Sequence, residues 1–176
     1  YPGPGTVAQL HEFDADALHA IISRVRRTSS FVVLDLPHVW NDWVKQTLLR
    51  ADSVLVVTSP DLAGLRNTDN MLKLRSESAR VAAPTVVLSM TGVPKRPEIL
   101  QKDFTEALMV EPAATIPFDP ALFGDAAVKE KTLLEAQPES KTARTIDDLA
   151  SLLSGRPRTN PPKTNSPAPM TDTRSH

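Results

Sequence analysis

Two hydrophobic periods alternate along residues 7–154. From Asp14 to Thr28, apolar Leu18, Ile21, Ile22 and Val25 recur at helical spacing, and Asp14 is placed to cap the helix. Residues 31–36 (FVVLDL) break that period with a continuous apolar run, the pattern of a strand buried on both faces. Helical spacing returns from Val39 to Arg50, followed by a second buried strand at 53–58 (SVLVVT). Asp61 reads as the cap of a long helix reaching about Val81, and residues 85–90 (TVVLSM) as a third strand. Glu98 to Met109 is helical, with Asp103 and Glu106 outward and Ile99, Leu100, Phe104, Ala107 and Leu108 inward. Residues 113–118 (AATIPF) form a short fourth strand, and helices over about 125–136 and 140–154 complete the series.

Strands that alternate with helices of this length make βαβ units. Strands that are apolar throughout make a parallel sheet covered on both faces. The expected fold class is therefore α/β: a doubly wound, mostly parallel sheet with flanking helices and right-handed crossovers. In such sheets ligands bind beyond the carboxyl ends of the strands. Candidate functional residues accordingly sit just after each strand, at Asp35–His38, Thr58–Asp61, Ser89–Gly92 and Pro117–Pro120.

Composition narrows the function classes. The 176 residues carry a net charge of −1, with 40% hydrophobic and 23% charged side chains, ordinary usage for one globular domain. Near-neutral charge gives no electrostatic footprint for nucleic acid or an anionic membrane. The absence of cysteine excludes disulfides, thiolate catalysis and cysteine-ligated metal. No apolar stretch approaches the ~20 residues of a membrane span, and no signal peptide opens the sequence. The first residue is Tyr1, from which we expect a chain cut or processed from something longer. Residues 1–6 read as a linker. Residues 155–176, with five prolines and no aromatic residue, read as a disordered tail.

Four apolar residues followed by Asp35 match a Walker B strand, whose acid holds the water shell of a nucleotide-bound Mg²⁺. The same pattern also describes a strand-terminal Asp that caps the next helix, and the residues alone leave the two open. No phosphate loop of the form G-x-x-x-x-G-K-[ST] occurs, and none of the six glycines lies in a strand–loop–helix cradle. His11, His19, His38 and His176 lack metal-ligand spacing. Trp43 shares a helix face with Val44 and Leu48 and reads as cover for the sheet, while Trp40 is open between packing and binding. Arg66 and Asn67 default to an exposed helix face, and Lys95–Arg96 between Pro94 and Pro97 to a rigid basic loop. Asp35, Thr58 and Lys95 also mimic the order of a phosphoacceptor receiver domain, although no acidic pair precedes them.

Four segments carry a family resemblance: VVLDLPHVWNDWV, ADSVLVVTSPDLAGLRNTDNM, GVPKRPEILQKDFTEAL and IPFDPALFGDAA, in that order. Over roughly 10–155 the chain resembles the CpaE/TadZ pilus-assembly proteins of Tad/Flp systems, relatives of the MinD/ParA ATPases. The resemblance implies residues 7–154 as the C-terminal portion of a MinD/ParA-like P-loop domain, with the phosphate loop upstream. It places Asp35 on the Walker B acid that reaches Mg²⁺ through water, with Pro37 the proline that follows it. It places Pro117, Phe118 and Asp119 on the loop that borders adenine. It implies ATP and Mg²⁺ in the parent protein, a homodimer, Tad/Flp machinery as partner, and a place in the cytoplasm, at the inner face of the inner membrane or a cell pole. Two departures weaken nucleotide chemistry. Ser89 stands where the family tends to have a base-contacting Asn, and Val128-Lys129-Glu130 where it tends to have Asn-Asn-Gly. A scaffold of the same fold that does not hydrolyse nucleotide is the alternative, and no ATPase activity is expected of this chain alone.

Overall fold

Short polar side chains start most of the helices described. The computed structural model describes residues 15–37, 39, 41–77 and 83–156; Asp14, His38, Trp40, Val81, the 1–6 linker and the tail beyond 156 lie outside these. Helix α1 (Ala15–Val25) is followed by α2 (Asp42–Arg50), whose N-cap Asn41 accepts a hydrogen bond from the Val44 amide at 3.1 Å. Strand β1 (Leu55–Thr58) leads through Asp61 into α3 (Leu62–Glu77). Strand β2 (Thr85–Thr91), α4 (Gln101–Leu108) and β3 (Ala114–Pro117) complete the first of two compact units, residues 1–118.

The sheet is parallel, ordered β1-β2-β3, as the βαβ rhythm requires. Its central strand carries the continuous apolar run that the pattern anticipated, with Val86, Val87 and Leu88 all buried. One core joins Val86 and Leu88 to Phe104 of α4, with Leu65 and Ile99 against them. Burial of Phe104 alone contributes on the order of 2–3 kcal/mol. A second core gathers Val44, Leu48, Val54 and Leu74, with Trp43 packed on it as expected. On α4, Phe104 and Leu108 face inward, but Leu100 and Ala107 are exposed. Helix α4 starts only at Gln101, so Leu100 occupies its N-cap and falls outside the helical period.

The strand expected at 31–36 is not a strand. The segment is extended, yet it joins no ladder, and Val33 is 91% exposed and Phe31 51%. Its neighbour β1 is likewise covered on one side only, with Val57 60% exposed. The reason is positional. An apolar run becomes a buried strand only where another strand accepts its hydrogen bonds, and among the described residues β1 pairs with β2 alone.

The second unit, residues 119–176, replaces the single helix expected over 125–136 with two. Helix α5 (Pro120–Val128) starts earlier, because Asp119 caps it and Pro120 occupies its first turn. The chain then turns through Glu130 at φ 53° and restarts as α6 (Leu133–Ala136) on a Thr132–Glu135 capping box. Asp125 ties the pieces together, accepting from Lys129 Nζ at 2.8 Å and Gln137 Nε2 at 3.3 Å, which holds its carboxyl below the usual range. Helix α7 (Lys141–Ser154) is capped by Ser140 and ends on Gly155 at φ 63°.

Candidate functional site

The carboxyl edge of the sheet is the most elaborately bonded region of the first unit. After β1, Ser59 Oγ donates to Asp61 Oδ2 at 2.6 Å, and Asp61 Oδ1 accepts from the Gly64 amide at 2.8 Å. The Ser59 hydroxyl first, then the Gly64 amide, and further the positive charge of Arg96, hold the Asp61 carboxyl below its ordinary value. Gly64 is required here by contact. A Cβ on it would lie 2.1 Å from the Ser59 carbonyl oxygen and 2.6 Å from Thr58 Oγ1. Thr68, fully buried one turn on, donates to the Gly64 carbonyl at 2.8 Å and fixes the helix against this turn.

At its end β2 bulges between Ser89 and Thr91, with Met90 left-handed at φ 59°. The loop that follows closes on itself. Glu98 Oε1 accepts from the Gly92 amide at 2.7 Å and the Val93 amide at 3.2 Å. The Arg96 guanidinium donates to the Met90 carbonyl and lies 3.5 Å from Glu98. The Ile99 amide donates to the Pro60 carbonyl at 2.8 Å, which joins this loop to the β1–α3 turn. The Phe118 amide donates to the Thr91 carbonyl at 2.7 Å and brings the end of β3 alongside. Ser59–Asp61 and Arg96–Glu98 thus form two polar pairs at the ends of β1 and β2, with the Arg96 charge acting on Asp61 through space. The strand-end position marks Asp61 as a candidate and as a helix cap, and Arg96 as part of a rigid basic loop; the electrostatic link between the two is not signalled in the sequence.

The residues singled out from sequence are dispersed. Asp35 and Pro37 lie exposed in the extended 31–37 segment, where Asp35 has no hydrogen bond or ion pair among the described residues. Ser89 is half-buried in β2, paired in register with Ile116. Pro117 is exposed at the end of β3, and Phe118 half-buried. Asp119 spends its carboxylate on α5, with Oδ1 accepting from the Leu122 amide at 2.9 Å. Arg66 is exposed, as is Lys95, left-handed at φ 62°.

These residues fit a nucleotide in part. Ser89, Pro117 and Phe118 supply a hydroxyl and apolar surface suited to the edge of a planar base. Nothing among them supplies a phosphate cradle, since carboxylates occupy the N-termini of both α3 and α5. No cluster of three or more acidic or imidazole side chains that could hold a metal ion occurs among the described residues. No helix among them is long and apolar enough to cross a membrane.

No family model and no curated protein matches the sequence. Solved structures do. The ParA family ATPase of Chlorobium tepidum matches with TM-score 0.69 at 19% identity, over 85% of this chain and 61% of that one. The cell division ATPase MinD of Pyrococcus furiosus gives TM-score 0.66 at 24% identity, covering 81% of this chain and 59% of that one. The MinC:MinD cell division complex of Aquifex aeolicus gives 0.67 at 17%, over 85% and 62%. The chain therefore has the α/β fold of ParA/MinD-type ATPases. It spans about three-fifths of the length of these proteins.

Proposed function

We propose that the chain is the C-terminal portion of a ParA/MinD-like switch protein that localises and helps to assemble a Tad/Flp pilus, in the manner of CpaE/TadZ. The observation that carries this reading is the ParA/MinD fold found together with the GVPKRPEI and IPFDPALFGDAA segments. In the parent protein ATP and Mg²⁺ bring two copies together at the inner face of the inner membrane. Ser89, Pro117 and Phe118 border the base, Asp35 serves the metal's water shell, and a segment outside this chain binds the phosphates.

A second reading has a specific observation behind it. Ser89 lacks the paired donor and acceptor of an amide, and the Asp119 carboxylate is committed to capping α5. Both favour a scaffold that binds nucleotide feebly and hydrolyses none.

One experiment separates the readings. The gene encoding the whole polypeptide is deleted and complemented with wild type or Asp35→Ala, while surface pili are counted and ATP binding and turnover are measured on the purified whole protein. A switch loses its pili on deletion and on Asp35→Ala, and ATP turnover falls at least tenfold. A scaffold loses pili on deletion only. Unchanged pili after deletion refute both readings.

A further inference from the structure

Two unfavourable features meet at the end of β2. Met90 is left-handed at φ 59° in the bulge between Ser89 and Thr91, a region that side chains other than glycine avoid. Arg96 follows in the next loop, with its side chain only 29% exposed. Its Nε is sealed from solvent and makes no hydrogen bond among the described residues, and a buried donor left unpaired is unfavourable. A regular strand end with an aliphatic side chain at position 96 would carry neither feature. Strain and unpaired polar atoms that the fold does not require gather where a site must hold a particular shape.

The bonds of Arg96 identify that shape. Its guanidinium donates to the Met90 carbonyl, so it grips the peptide that joins Met90 to Thr91. The Thr91 carbonyl in turn accepts from the Phe118 amide at 2.7 Å, and Thr91 Oγ1 donates to the Ile116 carbonyl at 3.4 Å. The grip is itself anchored. The Arg96 amide donates to the Val93 carbonyl at 3.2 Å, and Glu98, 3.5 Å from the guanidinium, accepts from the Gly92 and Val93 amides. Ser89 precedes the bulge and Phe118 is bonded just beyond it, so their spacing is set through the peptide that Arg96 holds.

We propose that Arg96 is the positioning residue of the base-binding wall: by fixing the bulge at Met90 and Thr91 it sets Ser89 against Pro117 and Phe118 in the arrangement that receives a planar base. The inference rests on the reading of Ser89, Pro117 and Phe118 as the border of the base. Arg96 acts through the Met90 peptide, not on the ligand itself. Bulges re-aim side chains beside binding sites, and here one guanidinium keeps the strand bulged. Its share of the affinity belongs to the base alone, because under the same reading the phosphates are bound by a segment outside this chain.

The test compares the whole polypeptide with its Arg96→Met variant, which keeps an unbranched side chain and removes the donors. Amide exchange is followed without ligand. Affinities for Mg-ATP and for Mg-tripolyphosphate, which has the phosphates without the base, are measured side by side. The expected result is exchange at Phe118 about tenfold faster in the variant with Phe104 still protected, ATP affinity about tenfold weaker, and tripolyphosphate affinity changed by less than about twofold. Equal losses of ATP and tripolyphosphate mean that Arg96 serves the fold at large, and an unchanged Phe118 amide means that it does not hold the wall; either result overturns the proposal. Should Arg96→Met also lose protection at Phe104, the same readings are taken on Arg96→Lys, which keeps the charge beside Asp61 and Glu98 and loses the planar fork. Wild type that binds ATP no more tightly than tripolyphosphate refutes the base reading of the site, and the positioning of Phe118 by Arg96 then stands or falls on the exchange result alone.

Discussion

Two glycines in helices show how contact, not helix propensity, decides a substitution. Gly64→Ala gains intrinsic helix stability but drives a methyl into the Ser59 carbonyl, 2.1 Å away, with backbone rather than a flexible side chain obliged to move. Overpacking of this kind costs about 1–3 kcal/mol, and the loss should show as a lower urea midpoint and a disordered β1–α3 turn. Gly124→Ala in α5 meets nothing within 4 Å and should stabilise by about 0.5–1 kcal/mol. The same chemical change thus has opposite signs in one protein. Asp61 adds a pH dependence of known direction. Its carboxyl is held below the ordinary value by Ser59, Gly64 and Arg96, so the unfolded chain takes up the proton more readily than the folded one. The contribution is fully present above about pH 4 and is lost as pH falls through the lower, folded value. In Asp61→Asn the amide still caps α3 but no longer titrates. Urea midpoints of wild type and variant should differ most at neutral pH and converge towards about pH 2; a constant difference would show that the charge is not responsible.

At the scale of elements, one carboxylate gathers two amides of the loop over 91–99. Glu98→Ala strips the acceptor from the Gly92 and Val93 amides and removes the acid beside Arg96. The partly buried Val93 amide left unpaired costs on the order of 1 kcal/mol, while the exposed Gly92 amide can bond water instead. Exchange at Gly92, Val93 and Ile99 should accelerate, while the Phe104 core keeps its protection; Glu98→Gln, which retains an acceptor oxygen, should recover much of the loss. This latch also marks the limit of what the sequence discloses. The Val86–Leu88 run, the Asp61 cap and the Trp43 face were legible because each signal is local: a period, a cap, a helical spacing. The link from Asp61 to Arg96 spans 35 positions in sequence, and nothing near either residue announces the other. Residues 31–36 failed for a different reason. Their apolar run states what environment they need, and says nothing about whether a partner strand is present to provide it. The helix expected over 125–136 failed because Asp119–Pro120 was read as the end of a strand region, when it is equally a cap and first turn, and because the Thr132–Glu135 box restarts the chain after Glu130.

For the whole molecule, an open apolar edge decides how the chain associates, and one charge placed on it tests this. A free strand edge with aliphatic side chains on its exposed face is a template for association with another chain. Val33 is 91% exposed and Val57 60%, so this chain alone should scatter light at modest concentration. Val33→Lys places a charge on that edge, as natural edge strands do, and should raise the concentration at which association begins while changing the unfolding free energy by less than about 0.5 kcal/mol, as surface substitutions do. Sedimentation of wild type and Val33→Lys over a concentration series, alongside urea denaturation of each, reads association and stability separately. An unchanged onset of association would show that the exposed 31–36 segment is not the template, and the exposed face of β1 around Val57 would then carry the association.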